Sequence, residues 1–163
     1  MIDLILEKMI CESQGKYKKT DIAHFLKVYS YAHLIGEREK IDERTQLILE
    51  IAAIVHDIAC PLCREKYGNS QGHYQELEGP ALVHSFLEQF HLDNDIVTRV
   101  AYLVGHHHTY QNVDGLDYQI LLEADFLVNA DEMDLNKDAI LTMKDRVFQT
   151  KTGKLLLKTI YDL

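Results

Sequence analysis

Apolar residues recur at three- and four-residue intervals along most of this chain, the spacing that gathers them on one face of a helix. Ile2 to about Ser13 forms the first such stretch, with Asp3, Glu7 and Lys8 breaking its apolar run, so it predicts an amphipathic helix and not a signal peptide. Gly15 and the basic group Lys16, Lys18 and Lys19 separate it from a second helix. Thr20 or Asp21 can cap that helix, its stripe runs through Ile22, Phe25, Val28, Tyr31, Ala32 and Ile35, and Gly36 stands where a C-terminal glycine ends a helix. A third helix follows Asp42 and carries Leu47, Ile48, Ile51, Ile54, Val55 and Ile58 into the pair His56-Asp57; Pro61 forbids much continuation. The stretch from Pro61 to Gly72, with Gly68-Asn69-Ser70 at its centre, has turn chemistry and is expected to be a loop. A fourth helix begins near Tyr74 or Pro80 and reaches about Phe90, and a fifth covers Asp93 to about Gly105. The run His106-His107-His108 and a second loop with Asn112 and Asp114-Gly115 lead to a sixth, strongly apolar helix from about Asp117 to Ala130. From Asn136 onward the chain reads as one or two shorter helices around Gly153. Period-two alternation is convincing nowhere, so the pattern predicts an all-α bundle of about six to eight helices.

Composition sharpens this reading only in places. With 163 residues, 47% apolar and 26% charged, the chain suits one domain over residues 1–163 with a core of its own. The formal charge of −9 repels a phosphate backbone and argues against nucleic acid as the main partner. An anionic small substrate meets the same field, unless a bound cation supplies positive charge locally. Three cysteines, Cys11, Cys60 and Cys63, form no paired framework and suit a reducing, cytoplasmic setting. No apolar run is expected to reach membrane-spanning length, so no membrane partner is expected. Cys60-Pro61-Leu62-Cys63 spells a half-site for zinc or a redox pair, but no second pair completes it and no βαβ pattern surrounds it.

Four polar positions sit oddly in this apolar pattern. His24 shares a helical face with Val28 and Tyr31, His56-Asp57 ends the most hydrophobic stretch, and Asp125 lies within Ile120 to Val128. One such histidine is usually a core residue with a satisfied hydrogen bond, and one such aspartate usually caps or pairs. Four on separate apolar segments make that account weaker, because an ionised carboxylate there is costly unless it meets a cation. Two histidines and two carboxylates form a nitrogen and oxygen donor set suited to divalent transition metals.

The segments His24-Phe25-Leu26-Lys27-Val28, Ala53-Ile54-Val55-His56-Asp57-Ile58, Leu103-Val104-Gly105-His106-His107 and Leu122-Glu123-Ala124-Asp125, in that order, resemble the HD-domain superfamily of metal-dependent phosphohydrolases. The resemblance covers core motifs within residues 21–130, with C-terminal helices over 134–163. It implies that His24, His56, Asp57 and Asp125 hold one divalent ion, with iron, manganese, zinc, nickel, cobalt and magnesium all open. It further implies that a second ion would use His106 and His107, with Asp57 as the bridge. Two positions depart from the family pattern. Gln75 stands where two-metal members place a further histidine four residues before a helix glycine, here Gly79. Cys60 stands where many members have a lysine three residues after the doublet's aspartate, which leaves Arg64 or Lys66 to bind substrate phosphate.

The activity so implied is hydrolysis of a nucleotide or related small phosphate ester by metal-activated water, with His56 and Asp57 at the centre and Glu78 or a spare histidine moving the proton. The alternative is a non-catalytic nucleotide- or protein-binding module with a structural metal. Substrate, metal identity and ion count stay open, and a homodimer is compatible with the chain.

Overall fold

A computed structural model describes residues 1–163 and contains nine α-helices and no strand. They are α1 (Ile2–Glu12), α2 (Lys18–Glu39), α3 (Glu43–Val55), α4 (Cys60–Tyr67), α5 (Gly72–Leu87), α6 (Asn94–Val104), α7 (Leu116–Glu132), α8 (Lys137–Val147) and α9 (Lys151–Ile160), with a 3-10 turn at Glu88–Phe90. The all-α bundle expected from the pattern is what forms. Its helix count exceeds the expected range by one short helix, α4.

Placement follows the distribution of apolar residues around each helix. The middle and end of α3, Ile48 to Val55, are buried without a break, as is most of α7. Helices that are apolar on every side belong at the centre. Accordingly α2 packs on both α3 and α7, α3 also meets α6 and α1, and α5 lies on α6. The core joins 32 buried residues, from Ile5 in α1 to Leu157 in α9. The stretch Glu43–Tyr67 does pass for a membrane span by length and composition, contrary to expectation; its most apolar window has a mean hydropathy of 1.6, yet is 72% buried within the bundle. Its apolarity is that of a central helix whose neighbours cover it.

Three boundaries differ from the pattern-based reading, each for a physical reason. Helix α2 begins at Lys18, and Thr20 and Asp21 lie inside its first turn with no side-chain cap. Asp21 instead pairs with Arg64 of α4. Gly36 does not end α2, which continues to Glu39 and closes at Lys40 in a left-handed conformation. What requires glycine at 36 is close packing, because a Cβ there would lie 2.0 Å from Gln46 Oε1 of α3. The stretch expected to be a loop after Pro61 is α4, with Pro61 in its first turn. Proline is tolerated there because the first-turn N–H groups have no intrahelical partner. By contrast, the start of α3 is as expected, with Asp42 accepting from Thr45 N at 3.0 Å and Thr45 Oγ1 at 2.6 Å.

Candidate metal centre

The turn His56–Ala59 between α3 and α4 sits at the middle of the bundle, and side chains from α2, α7 and the turn after α6 converge on it. His24 comes from the second turn of α2, Asp125 from the middle of α7, and His107 from the tight turn that ends α6. His24, His56, His107 and Asp125 are all buried, at 7%, 0%, 1% and 5% exposure. Only the Asp57 side chain, 24% exposed, reaches toward solvent.

The donor atoms crowd together. His24 Nε2 lies 3.0 Å from His56 Nε2, 3.2 Å from Asp125 Oδ1 and 3.3 Å from Asp57 Oδ2. His56 Nε2 lies 3.5 Å from an oxygen of each aspartate. His107 Nε2 is 3.4 Å from Asp57 Oδ1. Two donors each roughly 2.1 Å from a shared ion stand about 3.0–3.4 Å apart at octahedral or tetrahedral angles, so this spacing is the one an ion imposes.

The outer nitrogens fix which face of each ring looks inward. His56 Nδ1 donates to Ala53 O at 2.8 Å and His107 Nδ1 donates to Val104 O at 2.7 Å. Both rings therefore turn Nε2 toward the cluster. His24 Nδ1 donates to Glu132 Oε2 at 2.8 Å. His107 Nε2, although fully enclosed, makes no hydrogen bond. A ring nitrogen buried without a hydrogen-bond partner is costly unless a cation or another polar group meets it.

Electrostatics agree with that geometry. Burial disfavours a charged His24, but its hydrogen bonds to Asp125 and Glu132 and the charges of Asp57 and Asp125 outweigh it and raise its pKa to about 10. Burial likewise works against ionising Asp57, yet His56, His107 and His24 hold its carboxyl well below the usual range. Asp125 is held well below its ordinary value by His24 and His56 in spite of burial. The pocket thus stabilises positive charge at the point where the donors meet. The donors of His24, His56 and Asp57 fit a divalent cation, and Asp125 stands beside both imidazoles.

A second group shares Asp57: the donor atoms of Asp57, His107 and His108 lie within 4.8 Å of one another, as do those of His24, His56 and Asp57. The histidine expected beside His107 was His106. Its ring instead stacks on Tyr102 at 4.0 Å and its Nδ1 donates to Tyr102 O. Successive side chains leave a turn in different directions, so within this run it is His107 and His108 that face the cluster. His108 Nε2 donates to Gln75 Oε1 at 3.2 Å. Burial and the neighbouring His107 lower its pKa to about 4. Gly72 makes room for the imidazole, since a Cβ there would stand 2.7 Å from the His108 ring.

The family model for the HD domain matches residues 21–143. The chain belongs to the HD-domain family. Its fold is also that of a solved relative: the crystal structure described as a predicted HD superfamily hydrolase from an uncultured Thermotogales bacterium is similar with a TM-score of 0.70 and 24% identity, over 98% of this chain and 84% of that one. No curated protein matches the sequence. HD domains typically bind divalent metals, and the His-Asp doublet of this HD domain, His56-Asp57, lies where the donors converge.

The remaining expected site residues are engaged elsewhere. Glu78 accepts from Lys66 Nζ at 2.6 Å and from the Tyr67 hydroxyl at 2.5 Å, tying α5 to α4. Those contacts hold its pKa down, Lys66 most, and no hydrogen bond joins it to the cluster. Arg64 forms a paired contact with Asp21 at 2.7 and 2.8 Å and lies over the Tyr17 ring. Cys60 and Cys63 are buried free thiols at the start of α4, and burial pushes both thiols above their usual pKa. One residue of this HD domain escaped the sequence reading: Glu132, which orients His24. Glu132 stands seven residues after Asp125 on the same helical face, a spacing that was available to find it.

Proposed function

We propose that this protein is a metal-dependent phosphohydrolase acting on a nucleotide or a related small phosphate ester. The observation that carries this reading is the convergence of Asp57 and Asp125 on the paired imidazoles of His24 and His56, with each carboxylate 3.2–3.5 Å from both rings. A divalent ion bound there would neutralise phosphoryl charge and lower the pKa of water. The chain's own residues supply the rest. Asp57 remains ionised and, as the exposed member, accepts a hydrogen bond from the attacking water and aims it at phosphorus. Glu132 and the carbonyls of Ala53 and Val104 hold the imidazoles in one orientation. His108, kept neutral by its lowered pKa, stands at the Asp57 side, and the proton that leaves the water ends on the departing alcohol. In the net reaction a water oxygen bonds to phosphorus, the ester P–O bond breaks, and the organic group leaves as an alcohol.

One observation favours a non-catalytic module with a structural metal: both cations expected to bind substrate phosphate, Arg64 and Lys66, are already paired with carboxylates. Metal analysis of tag-free protein followed by a screen of phosphorylated metabolites separates the two. The enzyme reading expects bound transition metal and phosphate release from at least one compound, both lost in Asp57→Ala while the circular dichroism spectrum is kept. Metal without hydrolysis of any compound would sink it, and an alanine variant keeping metal and full activity would remove Asp57 from the site.

A further inference from the structure

A cleft of about 410 Å³ opens beside the metal centre, between the end of α1, the start of α2, α4 and α5. Asp57 lines it, so the one exposed carboxylate of the donor cluster is also a wall of the cleft. Phe25 and Ile58, the chain neighbours of His24 and Asp57, continue that wall, and Leu62, Leu82 and Phe86 make the opposite side apolar. The volume is that of a small-molecule site.

Charge decides what such a site accepts. Glu12, Asp21 and Asp57 line the cleft and no lysine or arginine does. The nearest guanidinium, Arg64, is neutralised by its paired contact with Asp21. A phosphate entering this cleft would meet carboxylates in a partly desolvated setting, where like charges repel more strongly than in water. Neutral polar groups at the rim, Gln14 and Gln89, can still hydrogen-bond an uncharged ligand.

We propose that the cleft holds the organic part of a phosphate monoester, an uncharged or cationic group with an apolar face, and turns away substrates that carry further phosphates. The inference rests on the phosphohydrolase reading, with the phosphoryl group at Asp57 and the leaving group in the cleft.

The test uses the metal-loaded full chain. Its probes are ethyl phosphate, the four common nucleoside 5′-monophosphates and their triphosphates. Wild type is expected to favour at least one monophosphate over its triphosphate by about tenfold or more in kcat/KM. Ser85→Trp fills the cleft from an exposed position, and should raise KM for that monophosphate about tenfold while leaving ethyl phosphate turnover within about twofold. Asp21→Asn frees the Arg64 charge and should narrow the mono- to triphosphate ratio. Equal or better use of triphosphates, or a Ser85→Trp protein with unchanged nucleotide KM, overturns the proposal. Should no compound be hydrolysed, the phosphohydrolase reading fails by itself. Calorimetric binding of the free nucleosides then decides for the cleft: binding abolished by Ser85→Trp supports it, and no nucleoside binding to wild type overturns it.

Discussion

His24 shows how much a single side chain depends on its partners. Its imidazole has one nitrogen on Glu132 and the other facing His56, Asp57 and Asp125. Removing the outer partner frees the ring to rotate, although every ligand is still present. Glu132→Gln is therefore expected to lower metal affinity by about 10–100-fold, the usual effect of losing an orienting carboxylate. Glu132→Ala should lose at least as much, and neither should change helical content, because Glu132 lies at the solvent-side end of α7 with 26% side-chain exposure. Metal titration against a competing chelator measures this. Affinity within about twofold of wild type in both variants would leave Glu132 a surface residue. The His24, His56, Asp57 and Asp125 set could be read from residue type and apolar context, since an ionisable group amid apolar neighbours demands an explanation wherever it is found. The orienting contacts could not, because they depend on which carbonyl or carboxylate lies behind each ring.

Between elements, buried polar groups decide how helix ends meet. Glu123 of α7 is fully buried and accepts from the backbone N–H groups of Gln149 and Thr150, from Gln119 Nε2 and from the Thr150 hydroxyl. It fastens the α8–α9 junction, and Thr150 in turn caps α9 through Gly153 N at 2.9 Å. Glu123→Ala strands several donors in the core and is expected to destabilise the fold by about 3 kcal/mol. Urea unfolding tests this, and a loss below about 1 kcal/mol would mean that water replaces the carboxylate. The loop between α6 and α7 has a different tether, Arg99, which contacts Asp114 at 2.9 Å and Asp117 at 2.8 Å. Arg99 holds the Asp114 carboxyl below its ordinary pKa. A group depressed in the folded state contributes fully above its unfolded pKa, about 3.9, and loses that contribution as pH falls through its folded value. Amide exchange in residues 109–115 should therefore accelerate relative to the α7 core below about pH 4, and Asp114→Asn should show faster exchange already at neutral pH. An unchanged pattern between acid and neutral conditions would show the tether to be idle. Helix positions were legible because periodicity is local. The true end of α2 was not, because Gly36 serves contact with Gln46 of α3, 10 residues further along the chain.

Across the whole molecule, the candidate metal centre joins α2, the α3–α4 turn, the α6–α7 turn and α7. A cation that binds this assembly and not the unfolded chain must raise global stability. The expected gain is about 2.7 kcal/mol at a hundredfold excess over Kd, seen as an upward shift of the thermal midpoint with added manganese, cobalt or zinc and reversed by chelator. Asp57→Ala should remove the shift. A midpoint that ignores all three metals would exclude a preorganised cation site. That the chain is all-helical, that Asp42 opens α3, and that His24, His56-Asp57 and Asp125 belong together in an HD domain were determined by the sequence alone. These follow from the spacing of apolar residues, a local capping bond and an ordered set of donors. Tertiary structure alone decided that His108 and not His106 accompanies His107, that Arg64 and Lys66 are spent on Asp21 and Glu78, and that the wall beside Asp57 is apolar and acidic. Each of these depends on how side chains leave a turn or meet across distant helices, and neither periodicity nor motif order encodes those directions.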